Sequence, residues 1–233
     1  MLVLAIGDLH IPQRAIFKKL LVPGKISQVL CLGNATTSPS TLEFLKNLSA
    51  DFQIVRGEFD DNSSLPLSLV ITHGPLRIGF TNGFTIVPRG DPLSLLTMAR
   101  QMNVDVLIWG GTHKVEAYAL EGKFFVNPGS ATGAFTTEWP DVDLDEDEKK
   151  EGEETEDKEE NEDKKEDPDK EDKEEEAKEE EDGNDDDDEA EETNDIIPSF
   201  TLLDVQGSVI TLYIYTYING DVKVDKVSYR KDQ

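Results

Sequence analysis

The chain has 233 residues, 23 Lys and Arg against 50 Asp and Glu, and a formal net charge of −27. Its only cysteine, Cys31, excludes an internal disulfide framework and points to a reducing compartment. No stretch approaches the roughly 18 apolar residues of a membrane-spanning helix, and the N-terminal apolar run is too short, and lacks the basic flank, for a signal peptide. These features lead us to expect a soluble, cytoplasmic protein. The charge is not spread evenly. Residues 141–195 hold 35 acidic residues and 8 Lys, which accounts for all of it. The other 178 residues carry 15 acidic and 15 basic groups, are neutral, and suffice for one domain with a real core.

In chain order, Leu2 to Ile6 is an unbroken apolar run ended by Gly7, the pattern of a strand buried on both faces. Asp8 and His10 follow it. A carboxylate and an imidazole two residues apart at a strand end can share a divalent metal; the alternative is a turn-capping Asp and a surface His. Arg14 to Val22 forms a short helix stopped by Pro23-Gly24. Gln28 to Leu32 is the second buried strand, with Cys31 a small core residue. A helix starts at Ser38-Pro39 and buries Leu42, Leu45 and Leu48. Asp51 to Val55 is the third strand, so the first third reads β-α-β-α-β, with parallel strands.

The pattern then changes. Leu67 to Thr72 and Leu76 to Thr81 form a hairpin with His73 in its turn. Asp91-Pro92 caps a helix running to about Met102, and Asp105 to Trp109 is another buried strand. Val115 to Leu120 pairs with Lys123 to Val126 around Glu121-Gly122. Residues 136–195 separate from the rest by composition. They hold too little apolar matter to offset ordering entropy and are expected to be a disordered acidic insert in a single domain made of 1–135 and 196–233. Three strands of an antiparallel meander close the chain: 201–205, 208–217 and 221–229. In the middle one, Ile210, Leu212 and Ile214 alternate with Tyr213, Tyr215 and Tyr217, an aliphatic face for the core and a tyrosine face for the outside.

Each buried strand is followed by Gly and a polar or charged residue: Gly7-Asp-Leu-His10, Gly33-Asn34, Gly57-Glu-Phe-Asp60, Asn82-Gly83 and Gly110-Gly-Thr-His113. Strand ends converging on one edge are the geometry of a two-metal phosphoesterase. The series resembles the calcineurin-like metallophosphoesterases, with the motifs DxH, GDxxD, GNH[DE], H and GHxH. Gly7-Asp-Leu-His-Ile-Pro12, Leu20-Leu-Val-Pro-Gly-Lys25, Ile54-Val-Arg-Gly57, Asn127-Pro-Gly-Ser-Ala-Thr-Gly-Ala134 and Asn194-Asp-Ile-Ile-Pro-Ser-Phe200 more closely resemble one branch, the vacuolar protein sorting-associated protein 29 family of retromer small subunits. The resemblance spans nearly everything outside 136–193. It implies an α/β metallophosphoesterase-like β-sandwich of two mixed sheets flanked by helices.

Against the enzymes' motifs, Asn34 replaces the bridging Asp, Phe59 the proton-donating His, Asn82 the next His, and Gly111 the first His of the last motif. Phenylalanine cannot transfer a proton. The resemblance therefore implies no required cofactor and at most one weakly held divalent cation, zinc or manganese, at Asp8, His10, Asn34 and His113. It implies a non-catalytic scaffold of the retromer in endosome-to-Golgi and vacuolar sorting. Such a scaffold is cytoplasmic and peripheral on endosomal membranes, reaches the membrane only through the complex, and has no nucleic-acid partner. Ile86, Val87, Pro88 and Arg89 would meet the large α-solenoid subunit, of the vacuolar protein sorting-associated protein 35 family. Leu2, Leu20, Leu21, Leu202, Tyr213 and Tyr215 would bind regulators of Rab GTPases. The competing readings are a metal-dependent phosphodiesterase with an altered site, or a basic-protein chaperone driven by the insert.

Overall fold

A computed structural model describes residues 1–9, 20–36, 38–133, 197–218 and 220–231. The helix expected from Arg14, His10 of the metal pair, and the acidic insert lie outside the described residues.

Two sheets stack face to face. The first contains β1 (Leu2–Ile6), β2 (Gln28–Cys31), β3 (Phe52–Ile54), β9 (Ser199–Gln206), β10 (Val209–Ile218) and β11 (Asp221–Arg230), in the order β11-β10-β9-β1-β2-β3. The second contains β4 (Ser68–His73), β5 (Leu76–Thr81), β6 (Val106–Ile108), β7 (Val115–Leu120) and β8 (Lys123–Pro128), in the order β4-β5-β6-β8-β7. Both are mixed. β1, β2 and β3 run parallel, as do β5, β6 and β8, while the hairpin partners are antiparallel. Helix α1 (Pro39–Leu48) covers the outer face of the first sheet and α2 (Pro92–Gln101) that of the second.

The period-2 alternation of strands divides the apolar residues into three layers. Val3, Ala5, Leu30, Ile78, Phe80, Val106, Ile108, Val126, Leu203, Ile210, Leu212 and Ile214 fill the space between the sheets. Leu4, Ile6, Val29 and Cys31 point the other way and pack with Leu45 and Leu48 of α1. Leu107 and Phe125 do the same against Leu95, Leu96 and Ala99 of α2. Strands covered on both faces explain the unbroken apolar runs. The β7–β8 turn uses left-handed backbone at both Glu121 (φ 47°) and Gly122 (φ 73°), the type I′ geometry that matches strand twist. His73, expected in a turn, is the last residue of β4, and its Nε2 lies 2.9 Å from Gln28 Oε1 across the sandwich.

The parallel strands β1, β2, β3, β5 and β6 send their carboxyl ends to one edge. The loops there touch. A side chain on Gly33 would come within 2.3 Å of the Gly57 nitrogen, and one on Gly57 within 2.2 Å of Asn34 Oδ1. Only glycine lets the loops after β2 and β3 approach this closely.

Candidate functional site

The strand-end residues gather around Asp8, which is fully buried. Its Oδ1 accepts hydrogen bonds from Asn34 Nδ2 (3.1 Å) and Asn82 Nδ2 (3.3 Å), and its Oδ2 accepts one from the Gly111 amide (2.8 Å). His113 Nε2 lies 3.9 Å from Oδ1. Asp8 (φ 51°), Asn34 (φ 57°) and His113 (φ 63°) all have left-handed backbone, a strained state concentrated at this edge. A cavity of about 160 Å³ opens beside them, lined by Asn34, Glu58, Phe59, Asn82, Arg89, Gly111 and His113. Of the expected metal side, Asp8, Asn34 and His113 are therefore brought together, with His10 outside the described residues.

A metal centre must be judged on the donors present. A carboxylate at position 34 would repel Asp8 unless a cation lay between them. Asn34 needs no cation, because its amide donates directly to Asp8 and its Oδ1 accepts from the Phe59 amide at 3.0 Å. Asp60, another acidic residue of the edge, holds loops together. Its carboxylate accepts from the amides of Asn34 (2.8 Å), Ala35 (3.1 Å), Thr36 (3.0 Å) and Gly57 (2.8 Å), and from Thr36 Oγ1 (2.7 Å). Burial acts to raise its pKa, but the bonds from Thr36, Gly57 and Asn34 prevail and hold it below the usual carboxylate range. Glu58 is paired with Arg89. Among the described residues no group of three or more His, Cys, Asp or Glu is placed to hold a metal ion. The described donors do not fit a two-ion centre. Phe59, on the cavity wall and 53% exposed, offers no proton to a leaving group.

The loop between β5 and α2 divides the expected docking residues. Ile86 is buried against Leu95, Leu96 and Trp109, so it belongs to the α2 core and not to a contact surface. Val87 is 83% exposed, and Pro88 and Arg89 are exposed beside it. Arg89 turns to the cavity, its Nη2 2.9 Å from Glu58 Oε2 and its Nη1 donating to the Gly111 carbonyl at 3.2 Å. Sequence reasoning missed this pair and the role of Asp60. No local pattern links residues 31 apart, although Asp60 stands in a glycine-led strand end.

The second expected surface lies on the outer face of the first sheet. Leu202 sits opposite Tyr213, and Phe200 opposite Tyr215, where the rings stack at 4.7 Å. Leu2, Leu202, Tyr213 and Tyr215 are half-buried, and Leu20 is exposed. Leu21 is a correction: it is 1% exposed and packs with Leu4, Leu45 and Phe200, so it supports the surface from beneath.

A sandwich with strand-end loops converging on a buried aspartate defines a phosphoesterase-like class. Residues 1–143 match the calcineurin-like phosphoesterase superfamily domain. The chain is 47% identical to vacuolar protein sorting-associated protein 29 of Saccharomyces cerevisiae, with all of both chains covered. It also resembles the crystal structure of Chaetomium thermophilum Vps29 (42% identity, all of both chains covered, TM-score 0.72). A third relative is wild-type Vps29 of Entamoeba histolytica complexed with zinc (31% identity, 98% of this chain and 99% of that one covered, TM-score 0.69). The chain belongs to the vacuolar protein sorting-associated protein 29 family, with a calcineurin-like fold. Among the described residues no helix is long and apolar enough to cross a membrane.

Proposed function

We propose that the chain is a non-catalytic retromer subunit that uses a phosphoesterase-like sandwich as an interaction platform in vacuolar and endosomal sorting. The observation that carries this reading is Val87. It is an aliphatic side chain 83% exposed, in a loop fixed on one side by buried Ile86 and on the other by Arg89. An apolar residue presented on a pre-ordered loop is a binding anchor, because little freedom is lost on docking. Val87, Pro88 and Arg89 form the contact for the large α-solenoid subunit, of the vacuolar protein sorting-associated protein 35 family. Leu2, Leu20, Leu202, Tyr213 and Tyr215 form the contact for Rab regulators, on the far side of β1 from the inter-sheet core. Membrane contact comes through the complex, on endosomes.

The chain needs no metal for this role. The Entamoeba relative holds zinc, and an ion at Asp8 and His113 here would be weakly held, since Asp8 already accepts three hydrogen bonds. The test is co-purification of the large subunit with the parent and with Val87→Asp, alongside an aryl-phosphodiester assay with manganese. Binding by the parent, its loss in the variant and absence of turnover are expected. Equal binding by the variant overturns the docking loop, and turnover abolished by Asp8→Ala overturns the non-catalytic reading.

A further inference from the structure

Arg89 is the permanently charged cation on the cavity wall. Its guanidinium joins three loops: its own after β5, the one after β3 through Glu58 (2.9 Å), and the one after β6 through the Gly111 carbonyl (3.2 Å). We infer that the Arg89 guanidinium is the site's built-in cation: it cross-links the strand-end loops as a bound ion would, and by its charge excludes a divalent ion from the cavity. This rests on the family assignment of the cavity and not on the docking of any partner.

The cavity retains the donors that such an ion would use. Glu58 supplies a carboxylate, now occupied by Arg89. His113 supplies an imidazole. Asn82 is 1% exposed, and its Oδ1 is buried and accepts no hydrogen bond among the described residues. Its amide orientation is fixed, because Nδ2 donates to the Leu32 carbonyl at 2.8 Å and to Asp8 Oδ1 at 3.3 Å. A flipped amide would set oxygen against both acceptors. A buried carbonyl oxygen without a donor normally loses stability. Asn82, Glu58 and His113 all line the cavity, a mixed oxygen and nitrogen set suited to zinc or manganese. With the guanidinium present, a divalent ion entering there meets a positive charge a few ångströms away and must compete for Glu58. Removing the charge while keeping the length of the side chain releases Glu58 and opens the site.

The test is calorimetric titration of zinc and of manganese into the full chain, with excess magnesium to saturate the acidic stretch. The proteins are the parent, Arg89→Met, Arg89→Lys, and Arg89→Met combined with Glu58→Gln. Arg89→Met is expected to bind zinc at least tenfold more tightly than the parent and to be stabilised by it in thermal melts. Arg89→Lys, which keeps the charge, behaves as the parent, and the gain disappears in the double variant. If Arg89→Met loses its folded signal, Arg89→Gln takes its place. Equal affinities for parent and variant, or a gain that survives Glu58→Gln, would overturn the inference. Either result leaves the docking reading intact, because that is measured by partner capture.

Discussion

Asn34 and Asp60 show how one edge can keep the outline of a metal site and lose its charge. Asn34 binds Asp8 directly through its amide. Asn34→Asp sets two buried carboxylates against each other, so we expect a loss of about 1–3 kcal/mol at neutral pH. One carboxyl of the pair is then held protonated, and the penalty shrinks as pH falls toward 4; urea denaturation at two pH values measures this. Asp60 behaves in the opposite sense. Its folded pKa lies below its unfolded value of about 3.9. The stability it contributes is thus complete above about pH 4 and is lost as pH falls through the depressed folded value. Asp60→Asn should cost about 2–4 kcal/mol at pH 7, since it withdraws a charged acceptor from four amides and a hydroxyl. The variant should also lose less stability than the parent below pH 4. The motif pattern made the edge legible, but not which carboxylate faces amides; that depends on loop contacts such as Thr36 to Asp60, which no spacing rule encodes.

At the scale of elements, legibility followed regularity. β1 and β10 were readable because strand alternation assigns each residue a face, and Ile210, Leu212 and Ile214 do enter the core. The loop between β5 and α2 has no period, so Ile86 and Val87 could not be told apart in sequence, yet one is core and the other 83% exposed. Leu21 is ambiguous for the same reason: the Pro23-Gly24 stop follows it directly, too little periodic sequence remains to fix its face, and it packs inward. The division yields a paired prediction. Ile86→Asp buries an uncompensated carboxylate against Leu95, Leu96 and Trp109 and should cost at least 3 kcal/mol. Val87→Asp should change stability by no more than about 0.5 kcal/mol. An Ile86→Val protein, kept folded, should bind the large subunit like the parent, while Val87→Asp should not. Thermal melts run beside the capture assay separate unfolding from lost contact.

For the whole molecule the question is how a sandwich accommodates 63 residues between Gly133 and Ile197. The chain leaves and re-enters the fold at one place. The Ser199 amide donates to the Ser130 carbonyl at 2.9 Å, and Ser199 Oγ donates to the Pro128 carbonyl at 2.8 Å. β9 then lies antiparallel to β1, and the strands after it complete the first sheet: Tyr229 stacks on Phe124 of the second sheet at 4.9 Å and donates to the Gly122 carbonyl at 2.7 Å. Two of the three core clusters draw both on residues up to Ala131 and on residues from Phe200 onward, and the third lies wholly between Ile86 and Phe125. With residues 128 and 130 already hydrogen-bonded to Ser199, the cost of joining the two flanks grows only with the logarithm of the intervening length. Deleting 141–193 should therefore leave the fold intact and raise stability by about 1.5 kcal/mol, the gain from shortening a loop of about 60 residues to about 10. The deletion also removes nearly all of the chain's net charge of −27, so capture of the large subunit should lose little affinity if that contact is apolar and centred on Val87. A large loss of binding with an unchanged melting curve would instead place the principal partner contact in the acidic segment.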